Sequence, residues 1–211
     1  MIWIKFLHFS AIDDIILGHF LEILPPKIQK HILQKKRPDD QKRSLLGIFL
    51  VKNFLAEHCL PFSLLFEIQF ENFVKPAFQT IQLDFNISHT NEYVVAAFSF
   101  QHKIGIDIEQ VRTVKGWDDC TYLNDNDLKK LQIAISPSST FLEIWCQKEA
   151  VLKACGCGFA VPISEVEIMN DFAMLNGQKW YLHVFHLKDN LSVIASNKPN
   201  AIIQIEEYKI P

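Results

Sequence analysis

The stretch Gly105-Ile106-Asp107-Ile108-Glu109 constrains this chain more than any other. Ile104, Ile106 and Ile108 alternate with Gly105, Asp107 and Glu109, the period of a half-buried strand whose side chains point to opposite faces in turn. The isoleucines are expected inward. Asp107 and Glu109 then share the other face, roughly 6–7 Å apart along the strand, close enough for both to lean onto one small cation. Gly105 lies on that face too and is expected to leave room for a ligand. A second stretch, Trp145-Cys146-Gln147-Lys148-Glu149-Ala150-Val151-Leu152-Lys153, reads as a helix with no breaker before Gly156. Trp145, Glu149 and Lys153 recur at intervals of four, so one helix edge carries an aromatic, a carboxylate and an ammonium.

Asp107, Glu109 and Glu149 are therefore read as a magnesium site that holds a substrate diphosphate, because magnesium takes oxygen ligands from a few carboxylates together with phosphate oxygens. Three carboxylates on one dication leave the cluster negative. An anionic substrate needs further cations, and Lys148 and Lys153 are the nearest candidates. Alone, a D-x-E strand is more often a solvated face, and a Glu149–Lys153 spacing an ordinary surface ion pair. The functional reading rests on the two stretches together.

A chain of 211 residues can bury a core as one domain or as two small lobes. Its 49% hydrophobic and 21% charged residues mark a packed globular protein, not a disordered one. A net charge of -3 argues against nucleic acid as partner. The apolar start is interrupted by Lys5 and His8 and soon meets Asp13-Asp14, which predicts a first strand and no signal peptide. No window approaches the ~20 apolar residues of a membrane span. Cys59, Cys120, Cys146, Cys155 and Cys157 are odd in number and scattered, which fits a reduced, cytoplasmic protein. Cys155-Gly156-Cys157 has no second pair and no nearby His, and is read as neither a metal nor a redox pair.

Residues 12–24 predict a helix that Pro25-Pro26 ends. The one strongly basic tract follows, with Lys27, Lys30, His31, Lys35, Lys36, Arg37, Lys42 and Arg43, and Arg43 stands at the entry to an apolar helix over residues 44–55. Residues 62–74 read as strand. Residues 81–85 read as another that runs into Asn86-Ile87-Ser88-His89, and 93–100 as a buried one. His89, between two strands and facing a loop, is placed to donate to a phosphate rather than to fill a core. With no G-x-G-x-x-G and no Walker A loop, phosphate binding must rest on side-chain cations and the metal. A helical segment near 128–135 has Asn124 or Asp125 as its N-cap. From Val161 onward, three or more antiparallel strands are expected, including residues 180–185, 192–195 and 202–205.

G-I-D-I-E followed by W-x-x-K-E-A-x-x-K and Gly156-Cys157-Gly158 resembles the signature pair of the 4'-phosphopantetheinyl transferases. The chain's length and full N-terminal half resemble their two-lobed, surfactin-type branch. Lys75-Pro76 and Asp84-Phe85-Asn86-Ile87-Ser88-His89 follow in the family's order, so the resemblance covers about residues 25 to 160. It implies an α+β fold: a pseudo-twofold pair of similar lobes, each an antiparallel sheet packed with helices. The lobes would be residues 1–102 and 103–211, with the metal site in the second, where the two meet. It implies magnesium-dependent transfer of 4'-phosphopantetheine from coenzyme A to a serine of an acyl or peptidyl carrier protein, releasing adenosine 3',5'-bisphosphate.

In that scheme Arg43, Lys75, Ser88 and His89 bind coenzyme A, with Lys27, Lys30 and Lys148 as further phosphate contacts. Glu149 takes the serine proton, and Lys153 stabilises or protonates the leaving phosphate oxygen. The partners are coenzyme A and a carrier protein, with neither nucleic acid nor membrane, and the chain is expected to act as a monomer. The sequence departs from the family at Val74, where glycine usually precedes Lys-Pro, and at Asp127, where glutamate is common; Asp127 is expected to orient a metal-bound water and not to ligate. Two other readings stand beside this one, a non-catalytic coenzyme A or carrier-protein binding module and a metal-dependent nuclease.

Overall fold

The first strand, β1 (Ile2–His8), turns Ile2, Ile4 and Phe6 to one side and Trp3 and Leu7 to the other, and apolar side chains cover both. In this computed structural model, which describes residues 1–70, 74–116 and 121–209, β1 pairs antiparallel with β3 (Tyr93–Ser99). With β2 (Asp84–His89) and β9 (Ile203–Glu207) they make a sheet in the order β2-β3-β1-β9. A second, antiparallel sheet runs β4 (Ile104–Gln110), β8 (Asn190–Ser196), β7 (Gln178–Leu187), β6 (Phe172–Leu175) and β5 (Glu167–Ile168). Ile104, Ile106 and Ile108 point inward as expected. They form a common core with Ile2, Ile4 and Phe6, which packs one sheet on the other.

Helices cover the outer faces. On the first sheet, Asp13 caps α1 (Asp14–Ile23) by accepting from the Ile15 N–H, and the helix stops before Pro25-Pro26. α2 (Pro26–Leu33) and α3 (Pro38–Glu57) follow, and Phe54 of α3 stacks on Phe98 of β3 with ring centroids 3.9 Å apart. On the second sheet, α5 (Pro137–Cys155) buries Ala150, Val151 and Ala154 against Val193 and Ala195. α4 (Asp125–Gln132) lies beside it, and its N-cap Asn124 forms a capping box with Asp127. The architecture is the expected α+β pair of largely antiparallel sheets with helices packed on each.

Three local expectations change. Phe62–Glu67 is a 3-10 helix that buries Leu64 and Leu65, not the start of a strand. A short apolar run does not distinguish strand from helix by its period alone, and the rest of the 62–74 segment includes residues 71–73, outside the described residues. α3 begins at Pro38, with Asp39 and Asp40 in its first turn, so Arg43 sits inside the helix and not at its entry. β9 does not extend the tail's own sheet. It crosses back to lie parallel to β1, held there by Lys5 Nζ to Glu206 at 2.7 Å and by Tyr208 N–H to the Phe6 carbonyl at 2.7 Å.

Candidate functional site

β2 and β4 are edge strands of different sheets, and their polar side chains meet. Ser88 Oγ of β2 donates to Asp107 Oδ1 of β4 at 2.9 Å. α5 packs along β4 in the opposite direction, so its Trp145, Glu149, Lys153 edge runs back along Glu109, Asp107 and Gly105. Lys153 Nζ donates to Asp107 Oδ1 at 2.6 Å and to Ser88 Oγ at 3.1 Å. Trp145 Nε1 donates to Glu109 Oε1 at 3.0 Å.

The approach depends on Gly105. A Cβ there would stand 2.1 Å from the Ala150 carbonyl oxygen and 2.2 Å from the Ala154 nitrogen. The expectation that Gly105 makes room for a ligand is thus corrected: it makes room for the backbone of α5.

Asp107 is 4% exposed, and its Oδ2, like Glu149 Oε1, is buried with no hydrogen-bond partner among the described residues. Burial, and then the charge of Asp107, raises the pKa of Glu109. Glu149 is likewise raised by burial and Asp107, against the opposing Lys153. Burial alone would lower the pKa of Lys153, but Asp107 and Glu149 reverse this and hold the ammonium above its ordinary value. Among the described residues, no three His, Cys, Asp or Glu side chains are gathered to hold a metal ion. The donors still suit a hard cation. All are oxygens, and two buried carboxylate oxygens lack the partner a cation would supply.

On the first sheet's side, a cleft of about 350 Å³ is lined by Arg43, Ser44, Pro76, Ile87 and His89. His31 and Phe70, stacked at 4.0 Å, form a wall shared with a smaller hollow of about 240 Å³ that holds Lys27 and Lys30. Arg43 is nearly buried; its Nη1 donates to Asp40 at 2.9 Å, and its Nε is buried without a partner among the described residues. His89 stands at the rim. Desolvation by the cleft walls, then Arg43 and Lys153, hold its imidazole below the ordinary pKa, so it is neutral at neutral pH.

Other expected site residues lie elsewhere. Lys75 Nζ donates to both oxygens of Asp84 and to the Ile104 carbonyl, each at 2.6 Å, and so joins the strands and does not point into the cleft. Lys148 is 1% exposed and pairs with the equally buried Asp127 at 2.5 Å. Asp127, expected to orient a metal-bound water, thus anchors α4 to α5, and the same oxygen, Oδ2, also accepts the Asn124 N–H at 3.0 Å. Val74 is exposed beside the cleft.

Just past Lys153, Cys155 and Cys157 are joined as a disulfide across Gly156, whose φ of 76° closes the helix. That C-x-C, read from sequence as neither a metal nor a redox pair, has its two sulfurs brought together across one αL glycine. Cys59 and Cys146 are free thiols, and Cys120 lies outside the described residues.

Asp84 and Asn86, which the sequence motif alone leaves without a role, reach across to β4. Asp84 Oδ2 accepts the Ile104 N–H at 2.8 Å, and Asn86 Oδ1 the Ile106 N–H at 2.9 Å. The signal lay in the alternation Asp84, Asn86, Ser88.

Residues 103–205 match the model of the 4'-phosphopantetheinyl transferase superfamily. The chain is similar to the 4'-phosphopantetheinyl transferase gsp of Aneurinibacillus migulanus, with 34% identity over 134 residues, 59% of this chain and 53% of that protein. It is also similar to the 4'-phosphopantetheinyl transferase Sfp of Bacillus subtilis (strain 168), with 26% identity over 155 residues, 71% of this chain and 67% of that protein. The chain thus spans about half to two-thirds of the length of these relatives.

Proposed function

We propose that this chain, whose residues 103–205 match the model of the 4'-phosphopantetheinyl transferase superfamily, belongs to that family and transfers 4'-phosphopantetheine from coenzyme A to a serine hydroxyl of an acyl or peptidyl carrier protein, with adenosine 3',5'-bisphosphate as the second product. The observation that carries this reading is the Ser88, Asp107 and Lys153 cluster, with its unpartnered carboxylate oxygens on the second lobe and, on the first, a cleft that Arg43 lines, beside a hollow that holds Lys27 and Lys30.

In this scheme Arg43 supplies a fixed charge to a coenzyme A phosphate, and Lys27 and Lys30 supply two more in the adjoining hollow. His89, neutral at neutral pH, donates an imidazole N–H. Asp107 and Glu149, with Glu109 beside them, would hold Mg2+, whose chemistry is to polarise the diphosphate and offset charge on the departing phosphate.

Burial raises the carboxyl pKa of Glu149 above its ordinary value, which makes the carboxylate a stronger base for the serine proton. Lys153 stays an ammonium through the neutral range and stabilises negative charge as it develops on the leaving oxygen. Ser88 holds Asp107. Lys75 and Lys148 support the frame from their buried ion pairs.

One chain furnishes both sides of this site, so the protein is taken as a monomer with no need of nucleic acid or membrane. Among the described residues, no helix is long and apolar enough to cross a membrane.

The test is to incubate the protein with coenzyme A, magnesium and a panel of apo carrier proteins, and to weigh each carrier by intact-mass spectrometry. The gain of one phosphopantetheine on a carrier, lost on chelating magnesium, is expected. No gain on any carrier, with coenzyme A binding intact, would instead leave a binding module.

A further inference from the structure

The polar side chains of β2 do more than carry Ser88 to the site. Asp84, Asn86 and Ser88 share one face of the strand, and each reaches across to β4: Asp84 to the Ile104 N–H, Asn86 to the Ile106 N–H, Ser88 to Asp107. β2 and β4 belong to different sheets. Side chains therefore give β4 the acceptors that a neighbouring strand's carbonyls would give inside a sheet. Asp84 is backed by Lys75, which also satisfies the Ile104 carbonyl. Asn86 is the middle rung, 9% exposed, and the Ile106 it holds is fully buried.

This seam sets the register between the two halves of the site. Arg43 and His89 stand with the first sheet, Asp107 and Glu149 with the second, and a strand slip would turn alternate side chains to the wrong face. We propose that Asn86 is a positioning residue. By holding the Ile106 N–H it fixes β4 so that the next residue, Asp107, meets Ser88 and Lys153 opposite the phosphate-binding cleft. The proposal rests on the transfer reading above.

Asn86→Leu keeps the volume but removes the acceptor, leaving a buried N–H unpaired. Asn86→Asp keeps an acceptor in place. In the leucine variant, amide hydrogen exchange across residues 104–107 should quicken by about tenfold, and the turnover number for carrier loading should fall by about tenfold, the factor for roughly 1.4 kcal/mol of lost fixation. The dissociation constant for coenzyme A should stay within about threefold of wild type, because the cations of the cleft are untouched. The aspartate variant should recover most of both losses.

Asn86 borders the cleft, so affinity is read separately, and a fall in coenzyme A affinity that accounts for the whole rate loss would make it a ligand contact and overturn the proposal. Unchanged exchange, or faster exchange with undiminished turnover, would also overturn it. If the leucine variant does not fold, Asn86→Ala carries the same measurements. If the wild type loads no carrier, the transfer reading fails by itself, and unchanged exchange at Ile106 in the variant still overturns the seam.

Discussion

At the scale of single residues, the site is a balance of buried charge. Asp107 has one oxygen committed to Lys153 and Ser88 and one without a partner. Asp107→Ala should abolish transfer, with secondary structure by circular dichroism intact, and it should cost about 3 kcal/mol in denaturant unfolding, because Lys153 is left without its close counter-charge. Full activity in that variant would remove the metal assignment.

Glu109 and Glu149 carry raised pKa values, so the folded chain binds their protons more tightly than the unfolded chain. Their charging costs stability as pH climbs from the ordinary carboxylate value through the folded ones. A bound cation offsets that cost. Magnesium should therefore raise Tm more at neutral pH than at about pH 5, and an equal gain at both would mean that these carboxylates do not hold it. Lys153→Ala should lower turnover more than coenzyme A affinity in steady-state and binding assays; a pure affinity loss would make Lys153 a binding group alone.

At the scale of elements, α5 must lie close on β4 for its edge to reach the carboxylates. Gly105→Ala places a methyl inside the helix backbone. It should cost about 3 kcal/mol, at the upper end for overpacking, and lower carrier loading by displacing Glu149 and Lys153. Urea unfolding measures the first, and a loading assay the second. Stability within error of wild type would show that α5 can shift freely.

The i, i+4 recurrence of Trp145, Glu149 and Lys153 and the i, i+2 recurrence of Asp107 and Glu109 were legible because both are local periods. What sat opposite each was not. Trp145 on Glu109 and Lys148 on Asp127 are pairings between different elements, beyond the reach of any local period. The 3-10 helix at Phe62–Glu67 escaped for a different reason, since a run this short has no period to read.

At the scale of the whole molecule, the last strand ties the two sheets together. β9 leaves the second half of the chain to pair with β1, and Lys5, its side chain 9% exposed, bridges Glu57 of α3 and Glu206 of β9 at 2.7 Å each. Burial would lower the pKa of Lys5, but Glu206 and Glu57 outweigh it and raise the net value. The contribution is present below the ordinary lysine value and is lost as pH rises through the folded one. Replacing both partners by Gln leaves an ammonium buried without counter-charge, and should cost about 2 kcal/mol at neutral pH, whereas Lys5→Met should change stability by less than about 1 kcal/mol. Urea midpoints of the two variants decide this. A greater loss in Lys5→Met would mean that the pair itself, and not the avoidance of a lone charge, is what stabilises the fold.

The sequence by itself determined the residue types of the site and the strand and helix that carry its carboxylates, because these follow from periods of two and 3.6 along a continuous chain, while the α+β class came from the family resemblance. Only the tertiary structure decided that Gly105 admits a helix, that Lys75 and Lys148 serve ion pairs, that β9 returns to β1, and that Asp84 and Asn86 join two sheets. Those are facts of proximity between distant segments, and no local period encodes which unpaired N–H or which buried charge a side chain will meet.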